Sequence, residues 1–286
     1  MASIILLGLP VFAVQRYPVS GLVVKVDRSK NTFVVSSDAI PGYMDAMVMP
    51  YSVHDPKLLD GLTQGTMVEF TLVVDKDDSY AENIRIRHYE SVEQEPLQAR
   101  RLKILEGLSG PPAVTVLDPG QRVPDFTLTD QSKRQISLRG LEGKVVAVNF
   151  VYTRCPLPQY CVRMVNSFGH LQKRFRERLG RDLVLLTISF DPIHDQPAVL
   201  AEYASSWKAD PNVWHFLTGP EAEVSRVCGL FGLGFWRDEA TFTHSLRTVL
   251  IDRDGKLVAN LEGNQFTPEQ LGDLVQAVLE RPNRVN

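Results

Sequence analysis

The stretch KVVAVNFVYT (144–153) constrains the fold of this chain most strongly. Between Lys144 and Thr153 it is an almost unbroken apolar run, interrupted by Asn149 near its centre. A strand facing water on one side alternates apolar and polar residues. A run like this one suits a strand buried on both faces, at the centre of a sheet covered by helices. The chain has 286 residues, enough for two ordinary domains, so this strand accounts for only part of it.

Beyond this run the chain keeps a strand–helix rhythm. Met164, Val165, Phe168, Leu171, Phe175 and Leu179 recur on one helical face, and Gly180 stops the helix. LVLLTISF (183–190) reads as a second buried strand and 196–208 as a second helix. HSLRTVLID (244–252) and KLVANLEG (256–263) read as a hairpin around Arg253-Asp254-Gly255. The last helix opens at Thr267-Pro268-Glu269-Gln270, a capping box with proline at the first helical position. This order of β, α, β, α and a hairpin closed by α is that of the thioredoxin fold. The expected fold is therefore an α/β thioredoxin-like domain over 118–286.

Upstream, residues 17–90 read differently. GLVVKVD (21–27), NTFVVSS (31–37), MVMPYSV (47–53), TMVEFTLVV (66–74) and ENIRIRH (82–88) are five short strands with turn punctuation. They predict a small all-β barrel of the OB type. Residues 91–117 change from charged to Gly-Pro-Pro composition, with Pro119-Gly120 just beyond, and read as a linker with one helix before Gly110. Residues 1–16 hold a short apolar run, 4–13, that ends in Val11-Phe12-Ala13. It reads as the remnant of an export signal without its basic leader, too short to span a bilayer as a helix. Export to the periplasm, or attachment to the periplasmic side of a membrane, is the expectation.

The buried strand ends at TRCPLPQYCVRM (153–164), which holds two of the three cysteines with five residues between them. So few cysteines do not make a disulfide scaffold, and a pair at a helix start is working chemistry. Unpaired N–H groups and the positive dipole end favour a thiolate there, as do Arg154 and Arg163. Pro156 and Pro158 are expected to keep the loop from coiling and to fold it outward. Cys228, in VSRVCGLF, fits a buried helix face, and His54, His88, His170, His194 and His215 read as surface residues. The residues alone leave a metal site and a redox pair both open.

Three segments, VVAVNFVYTRCP…C, ISFDPIHDQPAVLAEYA and FTHSLRTVLIDRDGKLV, together resemble the Sco/SenC family, in that family's order. The resemblance implies a thioredoxin-fold copper chaperone and thiol redox factor for cytochrome oxidase assembly. It implies that Cys155, Cys161 and His244 bind copper, as copper(I) and in principle copper(II). The usual family motif has three residues between the cysteines and a proline after the second. Here there are five, and Val162 follows Cys161. The donor set is chemically apt, since soft copper(I) accepts two thiolates and an imidazole at low coordination number. The acidic loop survives as Asp191 and Asp195, with no ligand role assigned.

A second soft cluster lies in IPGYMDAMVMPY (40–51), where Met44, Met47 and Met49 fall close together. On a strand, Met47 and Met49 share a face. Such residues could simply line a barrel interior. The segment 17–89 also resembles the metal-binding barrel of CusF-type periplasmic copper-efflux proteins, which implies a thioether site for copper(I) or silver(I). Met44 stands where that family has an aromatic residue and Ser36 near its histidine.

The leading expectation is a two-domain metallochaperone that gathers copper in the barrel and holds it at the cysteine pair. It would deliver the ion to the copper-centre subunit of a respiratory oxidase, with other periplasmic thiol or copper proteins as further partners. A tether of about 30 residues would give near-millimolar effective concentrations for an internal relay. The alternative is a metal-independent thiol–disulfide oxidoreductase or peroxidase of thioredoxin fold. A net charge of −3 gives no general attraction to nucleic acid, and the barrel lacks basic residues interleaved with exposed aromatics.

Overall fold

The computed structural model describes residues 14–89, 96–108, 115–238 and 241–281. The apolar N-terminal run 4–13 and its expected cleavage site lie outside the described residues.

Five antiparallel strands form the N-terminal unit: β1 (Gln15–Asp27), β2 (Thr32–Ser37), β3 (Met47–Ser52), β4 (Met67–Val74) and β5 (Ser79–Ile86). Their order is β3-β2-β1-β4-β5, and the Ser52 hydroxyl bridges the two edge strands by donating to the Ser79 carbonyl at 2.9 Å. The expected all-β barrel is present, curled around Val23, Phe33, Val35, Tyr51, Val68 and Phe70. Helix α1 (Pro96–Leu108) comes next.

The C-terminal unit is the expected α/β fold on a broader sheet. Its strands are β6 (Thr127–Asp130), β7 (Gln135–Ser137), β8 (Val145–Val151), β9 (Leu183–Ser189), β10 (Trp214–Thr218), β13 (Arg247–Ile251) and β14 (Leu257–Glu262). A separate ribbon, β11 (Phe235–Asp238) and β12 (Thr241–His244), precedes β13. The helices are α2 (Arg163–Arg174), α3 (Pro197–Ser206), α4 (Glu221–Leu230) and α5 (Pro268–Leu279). In the order β14-β13-β8-β9-β10-β6-β7, β8 and β9 run parallel at the centre. Every residue of both is buried, as the apolar runs demand. The capping box of α5 is formed: Gln270 N–H donates to Thr267 Oγ1 at 3.1 Å, and Thr267 N–H to Gln270 Oε1 at 2.9 Å.

Four details differ from what the sequence predicts. Helix α2 ends at Arg174; Phe175 and Leu179 still pack inward from the turns beyond it, and Gly180 reverses the chain at φ +78°. Pro158 opens a single π-helical turn, Pro158–Val162, because proline at a first helical position lacks only an N–H that would be unpaired anyway. His244 ends the β11–β12 ribbon and does not belong to the core hairpin. His215 lies on β10, 5% exposed, with Nδ1 3.1 Å from Asp130 Oδ2, so it is a core residue. Cys228 does lie on a buried helix face, and burial pushes its thiol pKa up.

The barrel is docked, not merely tethered. Along β1, Val23 points into the barrel, while Leu22 and Val24 join the core of the C-terminal unit. Leu22 pairs with Ser36 on β2 and with Met67 on β4, which makes one docking face across three strands. There, Ser36 Oγ donates to Asp273 Oδ2 at 2.6 Å, and Gln270 Nε2 donates to the Ser36 carbonyl at 3.2 Å and to Asp38 Oδ1 at 3.1 Å. Tyr89 packs against Gly263, where a Cβ would sit 2.2 Å from the ring. Burying Leu22 and Val24 contributes about 1.5–3 kcal/mol each to this contact.

Candidate metal centre

Strand β8 delivers the cysteine loop at its C-terminal end. Cys155 N–H donates to the Tyr152 carbonyl at 3.3 Å, which turns the chain, and the π-helical turn then carries Cys161 back under the loop. Cys161 is 1% exposed, Cys155 is half-buried, and both are free thiols. His244 arrives from the end of β12, opposite Phe235 on β11. The ligating atoms of Cys155, Cys161 and His244 all lie within 4.8 Å of one another. A three-coordinate ion with bonds of about 2.2 Å spaces its donors roughly 4 Å apart, so the trio needs little contraction to close on one.

The imidazole is preset for this task. His244 Nδ1–H donates to the Ser245 carbonyl at 2.9 Å. That leaves Nε2 to meet the sulfurs, where a metal would take its lone pair in place of the hydrogen bond to Cys155. Aromatic rings fix the ring plane: Phe190 lies 4.9 Å from it, Tyr152 5.8 Å and Tyr160 6.3 Å, centroid to centroid. Phe242 packs on Tyr152 and Phe190 behind it.

The two sulfurs share one proton unequally. The hydrogen bond from Cys161, then that from His244, holds the Cys155 pKa well below the usual thiol range. Cys161 is pushed up, because it donates to Cys155 and is buried. Burial, then the charge on Cys155, raises the Tyr152 phenol, which stays protonated. The pair is therefore one half-buried thiolate backed by one buried thiol. A soft cation that displaces the shared proton would gain two thiolates.

Asp191, His194 and Asp195 also converge. Protein donors already fill those carboxylates. Asp191 accepts from Arg154 and Arg237; Asp195 accepts from Thr153 N–H and Oγ1, Ser189 Oγ and His194 Nδ1. With two guanidiniums on Asp191, this is no cation site.

Of the methionines, Met44 and Met49 line a recess of about 230 Å³ with Tyr43 and Tyr51. Tyr43 stacks on Tyr17 at 4.0 Å. Met47, 48% exposed, lies outside that lining. Ser36 serves the docking face.

Sequence reasoning misses the aromatic cage and Arg237. Tyr160 and Phe190 each adjoin a motif residue, Cys161 and Asp191, and that adjacency is the available signal.

Both units of the chain resemble known proteins. The SCO1/SenC family profile matches residues 116–280, and that of the copper binding periplasmic protein CusF matches 16–86. A SCO1 protein homolog of Bacillus subtilis is 27% identical over 162 residues, covering 54% of this chain and 80% of that protein. Protein SCO1, mitochondrial, of Saccharomyces cerevisiae is 28% identical over 160 residues, 54% of this chain and 52% of that one. The crystal structure of a SCO1/SenC family lipoprotein from Bacillus anthracis superposes with a TM-score of 0.51 at 23% identity. It covers 58% of this chain and 100% of that one, a likeness of fold. With a thiol pair and a histidine converging on a thioredoxin-like sheet, and the profile spanning more than half its length, the chain belongs to the SCO1/SenC family.

Proposed function

We propose that this protein is a copper(I) metallochaperone. Cys155, Cys161 and His244 hold the ion for delivery to the copper centre of a respiratory oxidase. The observation that carries the reading is the approach of two sulfurs and a preset imidazole to within 4.8 Å. Membership of the SCO1/SenC family supports the acceptor class. The half-exposed Cys155 is the side from which a partner's thiol or imidazole would take the ion, while buried Cys161 holds it until last. The CusF match, to a periplasmic family, supports a second, weaker site for copper(I) or silver(I) at Met44 and Met49, without Met47. The same match and the lipoprotein relative support export. No helix among the described residues is long and apolar enough to cross a membrane.

Anaerobic copper(I) titration of the reduced protein against a competing chelator tests this. The expected result is one tight equivalent, lost in Cys155→Ser and Cys161→Ser and strongly weakened in His244→Ala. Tight binding that survives in all three variants would overturn it.

The unequal thiols also favour a second reading, thiol–disulfide exchange through a mixed disulfide at Cys155 with Cys161 resolving it. A disulfide-bearing partner would take up the electron pair. Under that reading alone, His244→Ala would act only through the lost hydrogen bond to Cys155 and would leave disulfide exchange in place.

A further inference from the structure

The thiol–imidazole trio depends on two distant segments meeting, and the main sheet's ladder holds only one of them. The cysteine loop continues β8 directly. The ribbon β11–β12 that carries His244 forms its own two-stranded sheet and, among the described residues, joins no strand of the seven-stranded sheet in a ladder.

Between the two segments stands Asp191, 0% exposed. Its Oδ2 accepts from Arg154 Nη2 at 2.6 Å and its Oδ1 from Arg237 Nη2 at 2.9 Å. Arg154 immediately precedes Cys155. Arg237 sits on β11 opposite Phe242, two residues before His244, with its guanidinium 5.0 Å over the Phe242 ring. One carboxylate therefore grips the cysteine loop with one oxygen and the histidine ribbon with the other. Its own position is fixed in turn. Asp191 N–H donates to Ser189 Oγ, which donates to Asp195, and Asp195 holds Thr153 through N–H and hydroxyl. Hydrogen bonds between ionised partners are short and strong, and a buried carboxylate stripped of a partner is costly, so this arrangement resists loosening.

We infer that Asp191 is a positioning residue for the metal centre, setting the reach of His244 to the two sulfurs through Arg237 and Arg154. The inference rests on the copper(I) reading above. Asp191 touches no ligating atom and acts through the two arginines.

Arg237→Gln is the variant of choice, because the Arg237 side chain is 46% exposed and its loss opens no core cavity. It should weaken copper(I) binding about tenfold, the scale of one charge-assisted hydrogen bond that is partly solvent-screened. In a His244→Ala background the same change should alter affinity less than about twofold, since no imidazole remains to be misplaced. Arg237→Lys should recover part of the loss. In metal-free protein, Arg237→Gln should speed amide exchange at 241–244 and leave 145–151 unchanged. Wild-type affinity in Arg237→Gln, an equal loss in both backgrounds, or unchanged ribbon exchange would each overturn the inference. If the wild-type protein binds no copper(I), the proposed function fails, and the exchange measurement alone then decides whether Asp191 holds the ribbon.

Discussion

Replacing Leu22 by alanine should destabilise the domain that does not contain it. Leu22 lies on barrel strand β1, yet it is 0% exposed and packs into the core of the C-terminal unit. Truncating a fully buried leucine costs about 2–5 kcal/mol, part lost transfer energy and part cavity. The protein carries a convenient reporter, because its three tryptophans, Trp207, Trp214 and Trp236, all lie in the C-terminal unit. Trp214 is completely buried, so its emission tracks the unfolding of that core. With a urea dependence of about 3 kcal/mol/M, the tryptophan transition of Leu22→Ala should move down by roughly 1 M. Phe33→Ala, which opens a cavity in the barrel core alone, is the comparison. In a single cooperative unit it shifts the same tryptophan transition; with two loosely coupled units it shifts only far-ultraviolet dichroism. A tryptophan midpoint in Leu22→Ala equal to wild type would refute the docked arrangement.

The same geometry leads to further outcomes. Because Cys155 is held as thiolate by Cys161 and His244, iodoacetamide should modify one thiol per native chain at a nearly constant rate between about pH 6 and 8, where an ordinary thiol slows with falling pH. Mass spectrometry should place the label on Cys155 and leave Cys161 and Cys228 unmodified until the protein unfolds. Met44→Leu with Met49→Leu should remove a second, weaker copper(I) equivalent while costing less than about 1.5 kcal/mol each, since the swaps conserve volume. Phe190→Ala should cost about 3–5 kcal/mol in stability, measured by urea unfolding, and weaken copper(I) binding by freeing the His244 ring. Thr267→Ala should cost about 0.5–2 kcal/mol through loss of the α5 cap, read from the same unfolding curve.

The central sheet is legible in the sequence because β8 and β9 are apolar throughout, a pattern that a strand covered on both faces requires and a half-exposed one does not. β10 and the β6–β7 hairpin are not legible. WHFLT and TLTD are only a few residues long, and their buried His215 and Asp130 pair with each other although far apart in sequence. The cysteine pair and His244 can be read from motif and chemistry, but the π-helical turn cannot, because proline reads as a breaker until its position in the turn is known. The docking face leaves a trace: Leu22, Val23 and Val24 are consecutive apolar residues in a barrel strand, where alternation would suffice for a free barrel. The Asp191 link leaves none. Arg154 reads as a charge beside the Cys155 thiol and Arg237 as an ordinary surface arginine until the fold brings both to one carboxylate.

The Ser36–Asp273 contact, reinforced by Leu22 and Gln270, has a kinetic consequence. The barrel cannot swing on its connector, so the methionine recess and the thiol–imidazole pocket keep a constant separation within one molecule. Copper(I) transfer between them by encounter is then expected to run from one molecule to another, at a rate proportional to protein concentration. Inserting glycine and serine into the connector would then leave that rate unchanged.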